Sequence, residues 1–286
     1  MRKPDSPYYY AASEYEGPLC LADKPAFRPP ADIILWLKHT ALLLGRGWLG
    51  WLGAVLLVSA CCVLFAGAAT LLSARLSAAM LEDGYGKTAV AALRLARLLF
   101  VSMLPLLFAG GLVSAAAALA EGGGFQTGRL FDGFLRFGRL AGFFCCWLLP
   151  MTLIYIAVPE GVPAAGVLLL LASGCWFALP LMMQAGVPPL RAVGMSLWGC
   201  LKNILPVACC PAAAWGGYHA LVPLVPDGWR DMLRAAFAAG APFPPSDPGV
   251  WALLLLCWFA AVPAMVFLPV AGYVSYRNVW TNISLR

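Results

Sequence analysis

In a chain of 286 residues, 62% hydrophobic and only 11% charged, there is more apolar surface than a soluble domain of this size can hide. The net charge of +6 comes from basic residues scattered at the ends of apolar runs. That pattern fits membrane topology and not a nucleic-acid groove with interleaved aromatics, and the long runs argue against a β-barrel's short alternating strands.

Residues 1–30 are rich in Pro, Tyr and charge and hold no apolar signal segment. They read as a disordered cytoplasmic tail, either simply solvated or a docking segment built on Tyr8, Tyr9, Tyr10 and Tyr15. The stretch ADIILWLKHTALLLGRG follows. Its Asp32, His39 and Arg46 are seven apart and nearly aligned, so it reads as a surface helix with His39 beside Lys38.

The first span covers residues 47–73 and the second 98–120, the latter ended by Glu121 and three glycines. The loop between them carries Arg75, Lys87, Arg94 and Arg97, partly offset by Glu82 and Asp83. TGRLFDGFLRFGRL comes next. As a helix it gathers Arg129, Asp132, Arg136 and Arg139 on one arc and Leu130, Phe131, Phe134 and Phe137 on another. Asp132 is expected to pair with Arg129 and Arg136. The third span is 140–158 and the fourth 164–184, joined by the turn PEGVP.

PPLRAVGMSLWGCLKN separates the fourth span from the fifth, 203–222. Pro188 and Pro189 suit the start of a helix, where a missing N–H does no harm. Leu190, Val193, Leu197, Leu201 and Ile204 fall on one arc, with Arg191, Trp198 and Lys202 roughly opposite. Such a helix lies in the headgroup plane. The sixth span is 250–273.

The expected fold is therefore all-α: a polytopic bundle of six transmembrane helices over residues 31–286, with an interfacial amphipathic helix before each odd-numbered span. Three copies of one unit, a surface helix and a hairpin of two spans, would give that order. With both termini in the cytoplasm, 13 basic residues lie inside and 6 outside, as the positive-inside rule prefers. The expected location is a bacterial inner membrane.

Chemistry is sparse. No zinc-protease motif, phosphate loop, nucleophile elbow or pair of buried carboxylates occurs. Most of the ten cysteines lie in apolar runs and read as small packing residues. The vicinal pairs, such as Cys61-Cys62 and Cys145-Cys146, point about 100° apart on a helix and do not readily chelate one ion. His219, Gln184 and Glu160 read as membrane-edge or turn residues. The reading assigns no catalytic, cofactor-binding or metal-binding residue, and no nucleic-acid partner. Its expected partner is a bilayer with anionic phospholipids. The lipid-interface candidates are Arg191, Trp198, Lys202, Arg129, Arg136 and Arg139.

Trp176, Pro180 and GVPPLRA (residues 186–192) lead into the order S-x-x-x-C-x-x-N-x-x-P, formed by Ser196, Cys200, Asn203 and Pro206. With the weaker LFDGF (residues 130–134), this pattern resembles a family of proteobacterial six-span inner-membrane proteins with a domain of unknown function, related to YciC-type and glycerophosphodiesterase-associated membrane domains. The resemblance spans roughly residues 31–222, although Val193-Gly194-Met195 departs from the bulkier or more polar residues usual there. It implies fold and location and supplies no catalytic residue. Pro180, Pro188, Pro189, Ser196, Cys200, Asn203 and Pro206 then stand as helix-packing and motif positions.

Two functional readings follow. The first is a non-catalytic integral membrane protein in envelope or membrane organisation or assembly, supported by the lack of buried charge. The alternative is a small-molecule or lipid permease, supported by prolines inside the spans such as Pro105, Pro150 and Pro180.

Overall fold

A computed structural model describes residues 20–82, 86–158, 162–207 and 266–281. Among these residues the chain is all-helical, apart from one isolated antiparallel bridge between Leu21 and Thr281. In chain order the helices are α1 (Asp32–Arg46), α2 (Trp48–Glu82), α3 (Lys87–Ala120), α4 (Asp132–Leu135), α5 (Phe137–Phe143), α6 (Leu149–Ala157), α7 (Val162–Trp176), α8 (Ala178–Gln184) and α9 (Pro189–Lys202). A short helical turn covers 204–207, and α10 covers 266–280.

Among the described residues three helical stretches are long and apolar enough to cross a membrane: Trp48–Glu82, Thr88–Ala120 and Phe137–Ile154. The first two pack as an antiparallel hairpin. They take in the first two expected spans but run well past them, so Arg75, Lys87, Arg94 and Arg97 sit on helices and not in a loop. At 1.5 Å per residue, 35 residues reach about 52 Å against a hydrocarbon core of about 30 Å.

The third span has a defect in it. α5 passes through a π-helical turn, Phe144–Leu148, into α6. Pro150 explains the irregularity, because it cannot donate to the carbonyl four residues back and the wider turn absorbs the mismatch. The fourth expected span is not one helix but two, α7 and α8, broken at Phe177. Most of spans five and six lies outside the described residues, as does the connection between them.

The core is apolar and crowded. Its largest fully buried side chains include Trp280, Tyr273, Phe108, Phe143 and Phe177. The C-terminal part of α10 is central: every residue from 270 to 281 is buried. The sixth expected span ends at 273, yet the helix continues to 280 and carries Ser275, Arg277 and Asn278 into the interior. The Arg277 guanidinium donates to Tyr273 Oη at 2.9 Å, and Asn278 Nδ2 donates to Val274 O at 3.0 Å.

Glycines set the closest crossing. A Cβ on Gly111 of α3 would lie 1.9 Å from Leu130 O, and one on Gly133 of α4 would lie 1.9 Å from Leu107 O. Both partners are backbone atoms, so only glycine admits this approach.

Residues 20–30, read from sequence as part of a disordered tail, are ordered as a strap over the C-terminal end of α10. Ala22 N donates to Trp280 O and Ala26 N to Val279 O, both at 2.8 Å. Residues 1–19, with the four tyrosines, lie outside the described residues.

Candidate functional site

The motif residues of α9 converge on the break between α7 and α8. Ser196 Oγ accepts from Phe177 N at 2.9 Å and donates to Ser173 O at 2.6 Å. Phe177 N and Ser173 O would bond each other in an uninterrupted helix, so the hydroxyl is inserted into the ladder and opens it. Pro180, one turn further on, cannot donate to Trp176 O, which lies 3.1 Å from where a Cβ on Gly272 of α10 would stand. The Trp176 indole N–H donates to Ser275 Oγ of α10 at 2.9 Å. Cys200 Sγ adds a second bond to Ser173 O at 3.4 Å. Burial pushes the Cys200 thiol up to about 12, so it stays protonated and unreactive near neutral pH.

Asn203 closes α9 and is buried. Its Oδ1 accepts from Arg28 N at 2.7 Å, and its Nδ2 donates to Ala26 O and to Gly199 O, both at 3.0 Å. It therefore ties the strap to α9. Arg28 completes the knot by donating from Nε to Asn278 O at 2.9 Å. Pro206 is buried just beyond. Pro188 is extended and Pro189 is the first residue of α9, as a helix start requires. Pro189 also packs into the space left by Gly142 of α5, where a Cβ would meet its ring at 3.0 Å.

The expected faces of α9 are partly corrected. Its packed face is made of small and polar residues: Ala192, Val193, Ser196, Gly199 and Cys200. Leu190, Leu201 and Ile204 point outward and are exposed. Arg191 is exposed, whereas Lys202 donates to Pro25 O at 2.7 Å, and the Trp198 ring meets Trp280 edge-on at 6.3 Å between centroids.

The second basic stretch is not one amphipathic helix. Residues 127–131 form a 3-10 turn, and the chain breaks again at Arg136, so arcs drawn at 100° per residue do not hold. Arg129 pairs with Asp132 at 3.4 Å. Arg136 does not pair with Asp132. It donates to Met182 O at 2.9 Å and also to Met183 O, and so caps the C-terminal end of α8 with a cation. Arg139 is exposed and lies over Gly186, whose φ of +67° ends α8 in the left-handed form that glycine tolerates.

In α1, His39 is buried with Trp36, Thr40 and Leu43, which corrects its surface placement. Burial, and secondarily the Lys38 charge, hold its imidazole below the usual histidine range. The exposed side of α1 is mixed, with Ile34, Leu37 and Leu42 turned out beside Lys38 and Arg46. Among the described residues no three His, Cys, Asp or Glu side chains come together.

Sequence reasoning missed Arg28, Trp280 and the buried end of α10. The run SYRNVW offered a signal, since three polar residues continuing an apolar helix point to burial among protein rather than to a solvated tail. Comparison with protein-family models, with curated proteins and with solved structures finds no match.

Proposed function

We propose that the chain is a six-span bacterial inner-membrane protein, both termini cytoplasmic, that organises the membrane or envelope without catalysing a reaction and does so by holding anionic phospholipids at its cytoplasmic face. The observation that carries this reading is the division of labour among polar groups. Ser196, Cys200 and Asn203 are occupied in joining helices, and Arg136 caps one. Arg191, Arg129 and Arg139 are exposed, and exposed Leu190 adjoins the first of them at the start of α9. Cations above apolar side chains form an anionic bilayer surface's natural complement. The resemblance to the YciC-type membrane proteins belongs with this reading.

A permease is the second reading, favoured by the break at Phe177 with Pro180 beyond it. Purification in native lipid followed by mass spectrometry separates the two. The first predicts anionic phospholipid enriched over the bulk membrane and no stoichiometric metabolite. A metabolite retained one to one would favour the permease.

A further inference from the structure

We propose that the cleft between the strap and the chain just after α9 binds one anionic phospholipid, with its phosphate held by Arg28 and Lys202. The proposal deepens the lipid reading above and rests on it.

The cleft has a volume of about 70 Å³. Its apolar wall is Phe27, Pro30, Ile204 and Leu205, all exposed, and Asn203 and Pro206 close its floor. Arg28 and Lys202 also line it. Among the described residues neither cation meets a carboxylate. Their side chains donate to backbone carbonyls, Arg28 to Asn278 O and Lys202 to Pro25 O. A guanidinium has five donors and an ammonium three, so both retain N–H groups for a further acceptor.

Two positive charges that meet no carboxylate among the described residues, both lining one apolar slot, call for an amphiphile that carries its own anion. A water-soluble anion would leave Phe27, Ile204 and Leu205 uncovered, and an acyl chain alone would leave the cations unpaired. A phospholipid satisfies both, with its phosphate oxygens at the rim and the first acyl carbons along Ile204 and Leu205, where the fifth span is expected to begin. The lipid would also press the strap onto α9, because each cation is anchored at the strap: Arg28 belongs to it and Lys202 bonds Pro25 within it.

The test is native mass spectrometry of the full chain in neutral detergent, titrated with phosphatidylglycerol or with phosphatidylcholine of the same acyl chains. The wild type should retain one phosphatidylglycerol and release phosphatidylcholine. The double variant Arg28→Gln/Lys202→Gln should lose affinity by about thirtyfold, from about 1 kcal/mol per basic residue. Because that variant also disturbs the strap, Leu205→Asp is the second arm. It places a carboxylate in the slot, touches none of the hydrogen bonds that hold the strap, and should abolish retention. Lys38→Gln removes an exposed charge that does not line the cleft and should change nothing.

Equal retention of the two lipids, or undiminished retention by Leu205→Asp, would overturn the site. So would displacement by glycerol 3-phosphate at the concentration where the lipid itself binds, since that would make it a soluble-anion site. If anionic lipid is enriched around all variants alike, the cleft is wrong and the general lipid reading stands. If no variant and no wild type enriches it, both fall.

Discussion

Ser196 and Asn203 belong to one sequence motif but carry different energetic weight. Asn203 sits fully buried between a segment 175 residues away in the chain and its own helix, and two of its three side-chain bonds tie the strap's Arg28 N and Ala26 O, while Gly199 O also accepts from the Asn203 backbone N–H. Asn203→Ala leaves Arg28 N and Ala26 O without that partner, and an orphaned buried group costs about 1–3 kcal/mol. A loss of about 3 kcal/mol is the expected outcome, seen as a lower midpoint of unfolding in detergent. Ser196→Ala differs because its two partners, Phe177 N and Ser173 O, are the natural donor and acceptor of one helical bond. They can close on each other when the hydroxyl is gone, and Cys200 still bonds Ser173 O. The expected cost is about 1 kcal/mol or less. If both variants lose the same stability, the inserted hydroxyl is not what opens the helix at Phe177.

Elements meet where glycine lets backbones touch, and the crossing of α3 with the 3-10 turn and α4 is the tightest such contact. A methyl at Gly111 or Gly133 must push one backbone off the other by more than 1 Å, because the opposing atom at 1.9 Å is a carbonyl oxygen in each case. Overpacking of this kind costs about 1–3 kcal/mol or more, and rigid backbone partners put it at the upper end. Gly111→Ala and Gly133→Ala should each lower the thermal midpoint. Gly138→Ala, with nothing within 4 Å, should leave it unchanged or raise it slightly, since alanine favours the helix. Destabilisation by Gly138→Ala equal to the other two would remove the crossing as the cause. Much at this scale was legible in the sequence. The helical nature of α1 to α3 and the start of α9 at Pro189 follow from apolar run length and proline chemistry. The breaks at Arg136 and Phe177 do not follow, because each depends on a partner from a distant segment: Arg136 reaches the α8 carbonyls, and Ser196 reaches Ser173. The face by which α9 packs on its neighbours was not legible from hydrophobicity for a related reason. In a membrane protein the lipid takes the leucines, and helix contacts are left to Ala, Gly and Ser. Three junctions support the idea of a repeated unit. Gly47, Arg136 and Asn203, each between a shorter helix and the helical segment that follows, share φ of −123°, −110° and −122° with ψ of 30°, 26° and 39°.

For the whole molecule the decisive quantity is the mismatch between helix length and bilayer thickness. α2 and α3, at 35 and 34 residues, exceed by far the ~20 residues that a crossing needs. Even a 40° tilt leaves about 40 Å along the normal for a 52 Å helix, so part of the hairpin stands outside the hydrocarbon. The uncharged stretches 48–74 and 98–120 are the parts suited to lipid, and the charged residues Arg75, Glu82, Lys87, Arg94 and Arg97 cluster towards the turn. The hairpin tip is then the end that projects, by roughly 12–16 Å for the arms 75–82 and 87–97. In the six-span topology proposed above, thirteen basic residues lie on the side of the termini and six on the other, and the tip is external. Four of those six belong to the tip itself, so it is the segment whose location decides the orientation. A reporter fused after Gly17 should read cytoplasmic, and reporters after Gly84, Gly161 and Gly240 should read external. A single-cysteine label at Leu76, exposed on the projecting arm of α2, should react with an impermeant maleimide added to intact cells if the tip stands clear of the membrane. A cytoplasmic reading at Gly84 would invert the hairpin, bring its four basic residues inside, and break the six-span order with both termini cytoplasmic.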